Sequence, residues 1–373
     1  MYNLNNHYDN IWQLALQRFT NPRMNYFMPF GATSLDDIEQ QFKSIGGVDC
    51  SIFAYDQEPL LKLFNPDVFF KIQSDSYSDG LKWTILLNTE LDSDPKEDIL
   101  KRFRMIDCYY FHHALAAADW FRGGNYWYQV KPVADRTINN KFITFNRLTS
   151  NDRVYRSLLI NELYKHDILK EGLVSYSKQC PMGGDYKVEI MASAHIPDGI
   201  KLEALFNIGK IKEELRIDID GEIPNQSFNI SCIPECMETF LYVVTETCYW
   251  GRKKHLTEKI FKPIVTLNPF ILVGPAHNLA YLRSYGFKTF DKWIDESYDT
   301  VEDDIERMQV IGEELKRIAN LDLYQLKSLY YDMKEVLEHN QNWFYSQDFI
   351  KIVHSELIEN FAKACDESIA RNS

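Results

Sequence analysis

The residues best suited to chemistry lie between Thr245 and Asp299, TETCYWGRKKHLTEKIFKPIVTLNPFILVGPAHNLAYLRSYGFKTFDKWIDESYD. Thr257 is a helix N-cap residue type, so the backbone N–H groups of the turn after it point toward whatever lies before it. The carboxylate of Glu258 can accept from two vicinal hydroxyls, as on a ribose, and Lys259 adds a compact positive charge suited to phosphate. A capped surface helix carrying a Glu-Lys pair is common. Here the pair stands between Glu246, at an expected strand end, and the apolar run Pro269 to Pro275, which ends in Gly-Pro. Arg252-Lys253-Lys254-His255, the densest basic cluster, comes just before it. The combination suits a site that grips a ribose and a diphosphate.

Two further sets carry charge. Arg147, Arg153 and Arg156 lie in FNRLTSNDRVYRSLLI, where a strand runs through a loop into a helix. Arginine at a helix N-terminus opposes the macrodipole, which hints at a bound anion, although first-turn surface arginines are ordinary. Asp56 and Glu58 lie in Tyr55-Asp56-Gln57-Glu58-Pro59 at another strand end. A carboxylate there can take a proton from an attacking hydroxyl, the alternative being solvated acids on a turn. His112-His113 reads as loop histidines. Gly123-Gly124 and Gly183-Gly184 lack the context of a phosphate loop. Asp92-Ser93-Asp94 and Asp218-Ile219-Asp220 are Asp-x-Asp elements, but neither has donor-like company, so no metal is assigned to them.

The block HLTEKIFKPIVTLNPFILVGP resembles a signature of the α1,3-fucosyltransferases: Tyr-x-Thr-Glu-Lys, a short helix, then Pro, hydrophobic residues and Gly. The resemblance implies that Glu258 holds the donor ribose and Lys259 the phosphates. His255 stands where that family has its Tyr, and Glu246-Thr247-Cys248 where it has Glu-Asn-Ser. FNRLTSNDRVYRSLLINELYKHDILKEGLVSYS is similar to that family's first donor-domain segment, which implies Arg153 on the pyrophosphate, with Arg147 and Arg156 in reserve. Tyr-Asp-Gln-Glu-Pro resembles Phe-Glu-Ser-Pro in the acceptor domain, with Glu58 implied as general base and Asp56 second. The implied fold is α/β, with two facing Rossmann-like domains (GT-B) and C-terminal bracing helices.

The implied reaction moves a sugar from a nucleotide-sugar, GDP-sugar ahead of UDP-sugar, to a hydroxyl of a glycan or other acceptor. It would be inverting, with no obligatory cofactor or metal. Chains with these elements look like those of tailed phages, so a modified DNA base is an alternative acceptor. The alternative of another class is a non-catalytic binding or structural protein on a degenerate transferase scaffold.

Bulk properties bound these readings. The 373 residues carry a formal charge of −13, which disfavours a nucleic-acid partner. With 22 Tyr and 23 Phe the chain has rings to line a sugar cleft, though most belong in large cores. The seven cysteines form an odd, scattered set, read as reduced thiols in a cytoplasmic protein. The N-terminus does not read as a signal peptide, and no apolar window is long enough to span a membrane.

The elements that must position these groups alternate. Strands are expected over 48–55, 82–87, 108–111, 141–145, 173–177, 240–244 and 270–273. Helices are expected over 35–43 (with Ser34 as N-cap), 95–104 and 153–166, and from about Thr257. Long charged helices follow over 301–318, 323–339 and 343–371, while 181–230 shows no clear period. The alternation predicts parallel sheets with polar strand ends as ligand sites. It divides the chain into an acceptor-side domain (1–136), a nucleotide-sugar-binding domain (137–300) and bracing helices (301–373).

Overall fold

Each strand expected within the described residues forms, and each runs parallel to its neighbours. The computed structural model describes residues 7–26, 48–60, 82–181, 183–213, 215–217 and 228–373. The expected helix over 35–43 and the Asp218–Asp220 element lie outside them.

The first sheet contains β1 (Pro22–Tyr26), β2 (Cys50–Ala54), β3 (Thr84–Asn88) and β4 (Met105–Tyr109), in the order β1-β2-β3-β4. Ile52 stands opposite Ile85 and Leu86 opposite Asp107. β2 and β3 are buried at every position, as in a parallel sheet covered on both faces. β4 begins three residues before the expected strand, because Asp107 interrupts the apolar run. Its carboxylate is satisfied by Lys96 Nζ at 2.7 Å and Asn88 Nδ2 at 2.6 Å. β1 was not expected, since Pro-Arg-Met-Asn-Tyr has no apolar run.

Helices α1 (His7–Leu16), α2 (Asp94–Arg102) and α3 (His112–Gly123) accompany this sheet. Ser93 caps α2 by accepting from the Lys96 N–H, Pro95 sits in the first turn, and Lys101 and Arg102 occupy the last. Phe53, Tyr55, Leu86, Ile99, Phe103 and Met105 form a core cluster between sheet and helix.

The second sheet contains β5 (Asn140–Asn146), β6 (Leu173–Tyr176), β7 (Thr239–Thr245) and β8 (Phe270–Val273), in the order β6-β5-β7-β8. The chain starts at β5, steps outward to β6, then returns to the other side of β5 for β7 and β8. The connections carry α4 (Tyr155–Lys165), α5 (Tyr186–Ala192), α6 (Asp198–Lys210), α7 (Ile233–Met237) and α8 (Phe261–Val265), and α9 (Asn278–Ser284) follows β8. α5 and α6 fill the stretch without a clear period. Val188, Met191, Leu202 and Phe206 on them are exposed, so their apolar residues do not mark one core-facing stripe.

The C-terminal region is helical: α10 (Asp304–Ala319), α11 (Leu323–Asp332), α12 (Lys334–Tyr345) and α13 (Gln347–Asn372). Asp303 caps α10, and Asp322 with Gln325 forms a capping box on α11. The two helices expected over 323–339 and 343–371 are three, with breaks at Met333 and Ser346. The Ser346 hydroxyl accepts the Phe349 N–H at 3.1 Å, which starts α13 afresh.

Packing divides the chain into two compact units. The first comprises Met1–Asp119, Lys253–His255 and Ile350–Ser373, and the second Trp120–Arg252 and Leu256–Phe349. Within the first, α13 braces the sheet: Glu356 accepts the Phe111 N–H at 3.1 Å, Asn360 donates to Tyr109 O at 2.9 Å, and Arg371 lies over the Trp83 ring. All seven cysteines are buried and none is in a disulfide. No helix among the described residues is long and apolar enough to cross a membrane.

Candidate functional site

The candidate site is built on the residue after β7. Glu246 follows Thr245 at the C-terminal edge of the second sheet, and its side chain is fully buried. One carboxylate oxygen accepts the Thr257 N–H at 3.2 Å; the other accepts the Thr257 hydroxyl at 2.6 Å and the Thr247 N–H at 3.2 Å. Burial raises its pKa, against the pull of Lys259 and the Thr257 bonds. Glu246 thus staples the Thr257 loop to the strand end.

Thr257 caps the following turn by accepting the Lys259 N–H at 3.4 Å. The expected helix start is one 3-10 turn, Glu258–Ile260, leading into α8. Lys259 Nζ donates to Thr247 Oγ1 and Thr257 Oγ1, each at 3.0 Å, and to Glu258 Oε1 at 3.1 Å. Its side chain is 27% exposed, whereas that of Glu258 is 5% exposed. Burial pushes the Glu258 carboxyl up, but the Lys259 and Lys262 ammoniums together hold it below its usual range. Lys262, one helical turn beyond Glu258, is itself buried. Desolvation lowers its pKa to about 8 against the opposing effect of Glu258. The result is an ionised carboxylate and a partly exposed ammonium side by side.

The strand order places this pair. Parallel sheets bind ligands outside the carboxyl ends of the strands, where the order reverses. In the second sheet the reversal falls between β5 and β7. The segment after β5 carries the three arginines, Arg147 on the loop, Arg153 in the 3-10 turn Asn151–Val154 and Arg156 in the first turn of α4, and they differ sharply. Arg156 is buried, donating to Leu148 O at 2.9 Å and to Thr245 O and Glu246 O at 3.1 Å each. It pins the ends of two strand loops, with most of its donors committed to backbone carbonyls. Arg153 is half-buried and Arg147 exposed. Among the described residues no hydrogen bond or ion pair holds either guanidinium, so both keep their N–H donors available. The start of α9, after β8, is already occupied: the Asp299 carboxylate accepts the Leu279 and Ala280 N–H groups at 2.9 and 3.2 Å.

His255 is separated from this group in packing. It belongs to the first unit, where its Nδ1 lies 3.3 Å from Thr89 O. Next to it, Lys253 Nζ meets Glu90 Oε1 at 3.3 Å in a fully buried ion pair, and Glu90 also accepts the Leu60 N–H at 3.0 Å. Burial opposes ionisation of Glu90, but Lys253 and His255 hold its pKa below the usual value.

The two carboxylates expected to act as base also part company. Asp56 has no exposed surface; it accepts from the Tyr8 hydroxyl at 2.6 Å and from the Tyr110 hydroxyl. Glu58, two residues on, is half-buried. Of the pair, Glu58 is the less buried.

The second unit therefore brings together Glu246, Thr257, Glu258 and Lys259, with Arg153 in the 3-10 turn after β5. Sequence reasoning overlooked Thr247 and Lys262. The spacing of Lys262, four after Glu258 on a helix, was the available signal for an ion pair. Comparison with known proteins adds nothing to this geometry: no family model, no curated protein and no solved structure matches the chain.

Proposed function

We propose that this protein is a nucleotide-sugar-dependent glycosyltransferase of the GT-B class, with its donor site in the second unit. The observation that carries the reading is the Glu258–Lys259 pair, an ionised carboxylate and a partly exposed ammonium beside the strand-order reversal. On donor binding the two exchange each other for the ligand. Glu258 accepts from the two ribose hydroxyls, Lys259 turns to the diphosphate, and Arg153 adds a second positive charge there. Lys262 keeps Glu258 ionised from beneath.

The acceptor hydroxyl attacks the anomeric carbon as the bond to the diphosphate oxygen breaks. Glu58 takes the hydroxyl proton, and the nucleoside diphosphate leaves with its charge offset by Lys259 and Arg153. Inversion follows from this single displacement. The favoured donor is a GDP-sugar, and the acceptor a glycan or other hydroxyl compound. Seven buried thiols suit a reducing, cytoplasmic setting.

Thermal unfolding against GDP, UDP, CMP, dTDP and their sugars tests the reading. A nucleotide at a hundredfold its dissociation constant adds about 2.7 kcal/mol, visible as a raised melting temperature. Stabilisation by one nucleotide that disappears in Glu258→Ala supports it. No stabilisation by any of them overturns it in favour of a non-catalytic scaffold.

A further inference from the structure

A second concentration of chemistry-bearing side chains lies in the first unit. His7 opens α1, Asp56 follows β2 and His112 opens α3. These segments are far apart in sequence, yet His7, Asp56 and His112 each offer a ligand atom, all within 4.8 Å of one another, and all three residues are buried. The Tyr110 hydroxyl stands among them, 2.6 Å from His7 Nε2 and 3.0 Å from His112 Nδ1, and it donates to Asp56 Oδ2. The other oxygen, Oδ1, is held by the Tyr8 hydroxyl at 2.6 Å, which in turn accepts from Gln57 Nε2 at 3.1 Å. Burying two imidazoles, a carboxylate and a phenol at one point is costly unless something there repays it.

We propose that His7, Asp56 and His112 ligate a divalent first-row transition ion, with the Tyr110 oxygen as fourth donor. Two imidazole nitrogens with carboxylate and phenol oxygens suit zinc or a close neighbour, whereas magnesium and calcium favour oxygen ligands throughout. Donors sharing one ion at about 2.1 Å can stand up to about 4.2 Å apart, so modest side-chain rotation closes this set. Tyr8 and Gln57 form the outer shell, orienting the carboxylate so that Oδ2 faces the ion. On binding, the phenol O–H bond breaks, its proton goes to solvent and a metal–oxygen bond takes its place. The ion would tie the N-terminal helix to the C-terminal ends of β2 and β4. It takes no part in sugar transfer.

The test uses the full chain, purified without a polyhistidine tag, stripped with a chelator and equilibrated with Zn2+ or, as control, Mg2+. Bound metal is measured by elemental analysis, and stability by thermal unfolding. One tightly held Zn2+ per chain, a rise in melting temperature with Zn2+ and none with Mg2+ are expected. His112→Ala should lose the ion. Should that variant fail to fold, His7→Gln and Tyr110→Phe decide, each weakening Zn2+ binding by at least about tenfold. A wild-type chain that retains no Zn2+, or variants that retain it as tightly as wild type, would overturn the proposal.

Discussion

Among the described residues the two sheets have equal strand numbers and the same parallel sense, yet they treat charge at their C-terminal edges differently. The described strands of the first sheet step in sequence from β1 to β4, and two of its edge carboxylates, Asp56 and Glu90, are locked. Asp56 is held by two tyrosines, and Glu90 by Lys253 and a backbone N–H. The second sheet reverses between β5 and β7, and there the Lys259 ammonium beside Glu258 remains partly exposed. A buried carboxylate whose partners all belong to its own unit is architecture. An ionised one whose cation still reaches solvent can trade that cation for a ligand. Strand order separates the two, because a parallel sheet opens a crevice where successive crossovers diverge.

The most severe way to break this contrast is Lys253→Met. It leaves Glu90 buried without its cation, and the cost is expected to be about 3–5 kcal/mol in urea unfolding. Adding Glu90→Gln should recover much of the loss. A cost below about 1 kcal/mol would mean that the charges of the first unit are not locked.

Lys262 sharpens the contrast through pH. Its pKa falls from 10.5 to about 8 on folding, so between these values the unfolded chain binds more protons than the native one. Stability is therefore expected to rise with pH across that window, by up to about 3 kcal/mol. Lys262→Met should flatten the rise, and an unchanged profile would remove Lys262 from the account.

Glu258→Ala acts on binding. Losing two charge-assisted hydrogen bonds to a ribose is expected to weaken nucleotide binding about 100-fold by calorimetry. Glu258→Gln serves if the alanine variant folds poorly. Undiminished affinity in either would place the donor elsewhere.

The smallest effects separate neighbouring arginines. Arg156→Ala should destabilise the fold by about 2 kcal/mol through lost bonds to buried carbonyls. Arg153→Ala should leave the melting temperature unchanged and weaken diphosphate binding about tenfold. Reversed results would exchange their roles.

Much of this was legible because the signals are local. Phe270–Val273 is an uninterrupted apolar run and forms β8 over those residues, and Thr257 announces a capped turn. β1 was invisible because pairing, not its own composition, makes it a strand. α5 and α6 were invisible because their exposed apolar residues blur the period that marks a buried face. The arginines show the limit within a site. Arg153 lies in the 3-10 turn before α4 and Arg156 in the first turn of α4, and only the positions of the Leu148, Thr245 and Glu246 carbonyls decide which guanidinium is tied to the backbone. His112 read as a loop histidine because the residues that give it company, His7 and Asp56, lie in other parts of the chain.

Alone, the sequence determined the α/β class, most strands and the local chemistry around Glu258 and Lys259, since hydrophobic runs, caps and adjacent charges act over a few residues. Tertiary structure decided the rest: the reversal between β5 and β7, the burial of Asp56, the capture of Arg156 by carbonyls and the meeting of His7 with His112. These depend on which distant backbone and side-chain groups the fold brings within hydrogen-bonding distance, and no spacing along the chain encodes that directly.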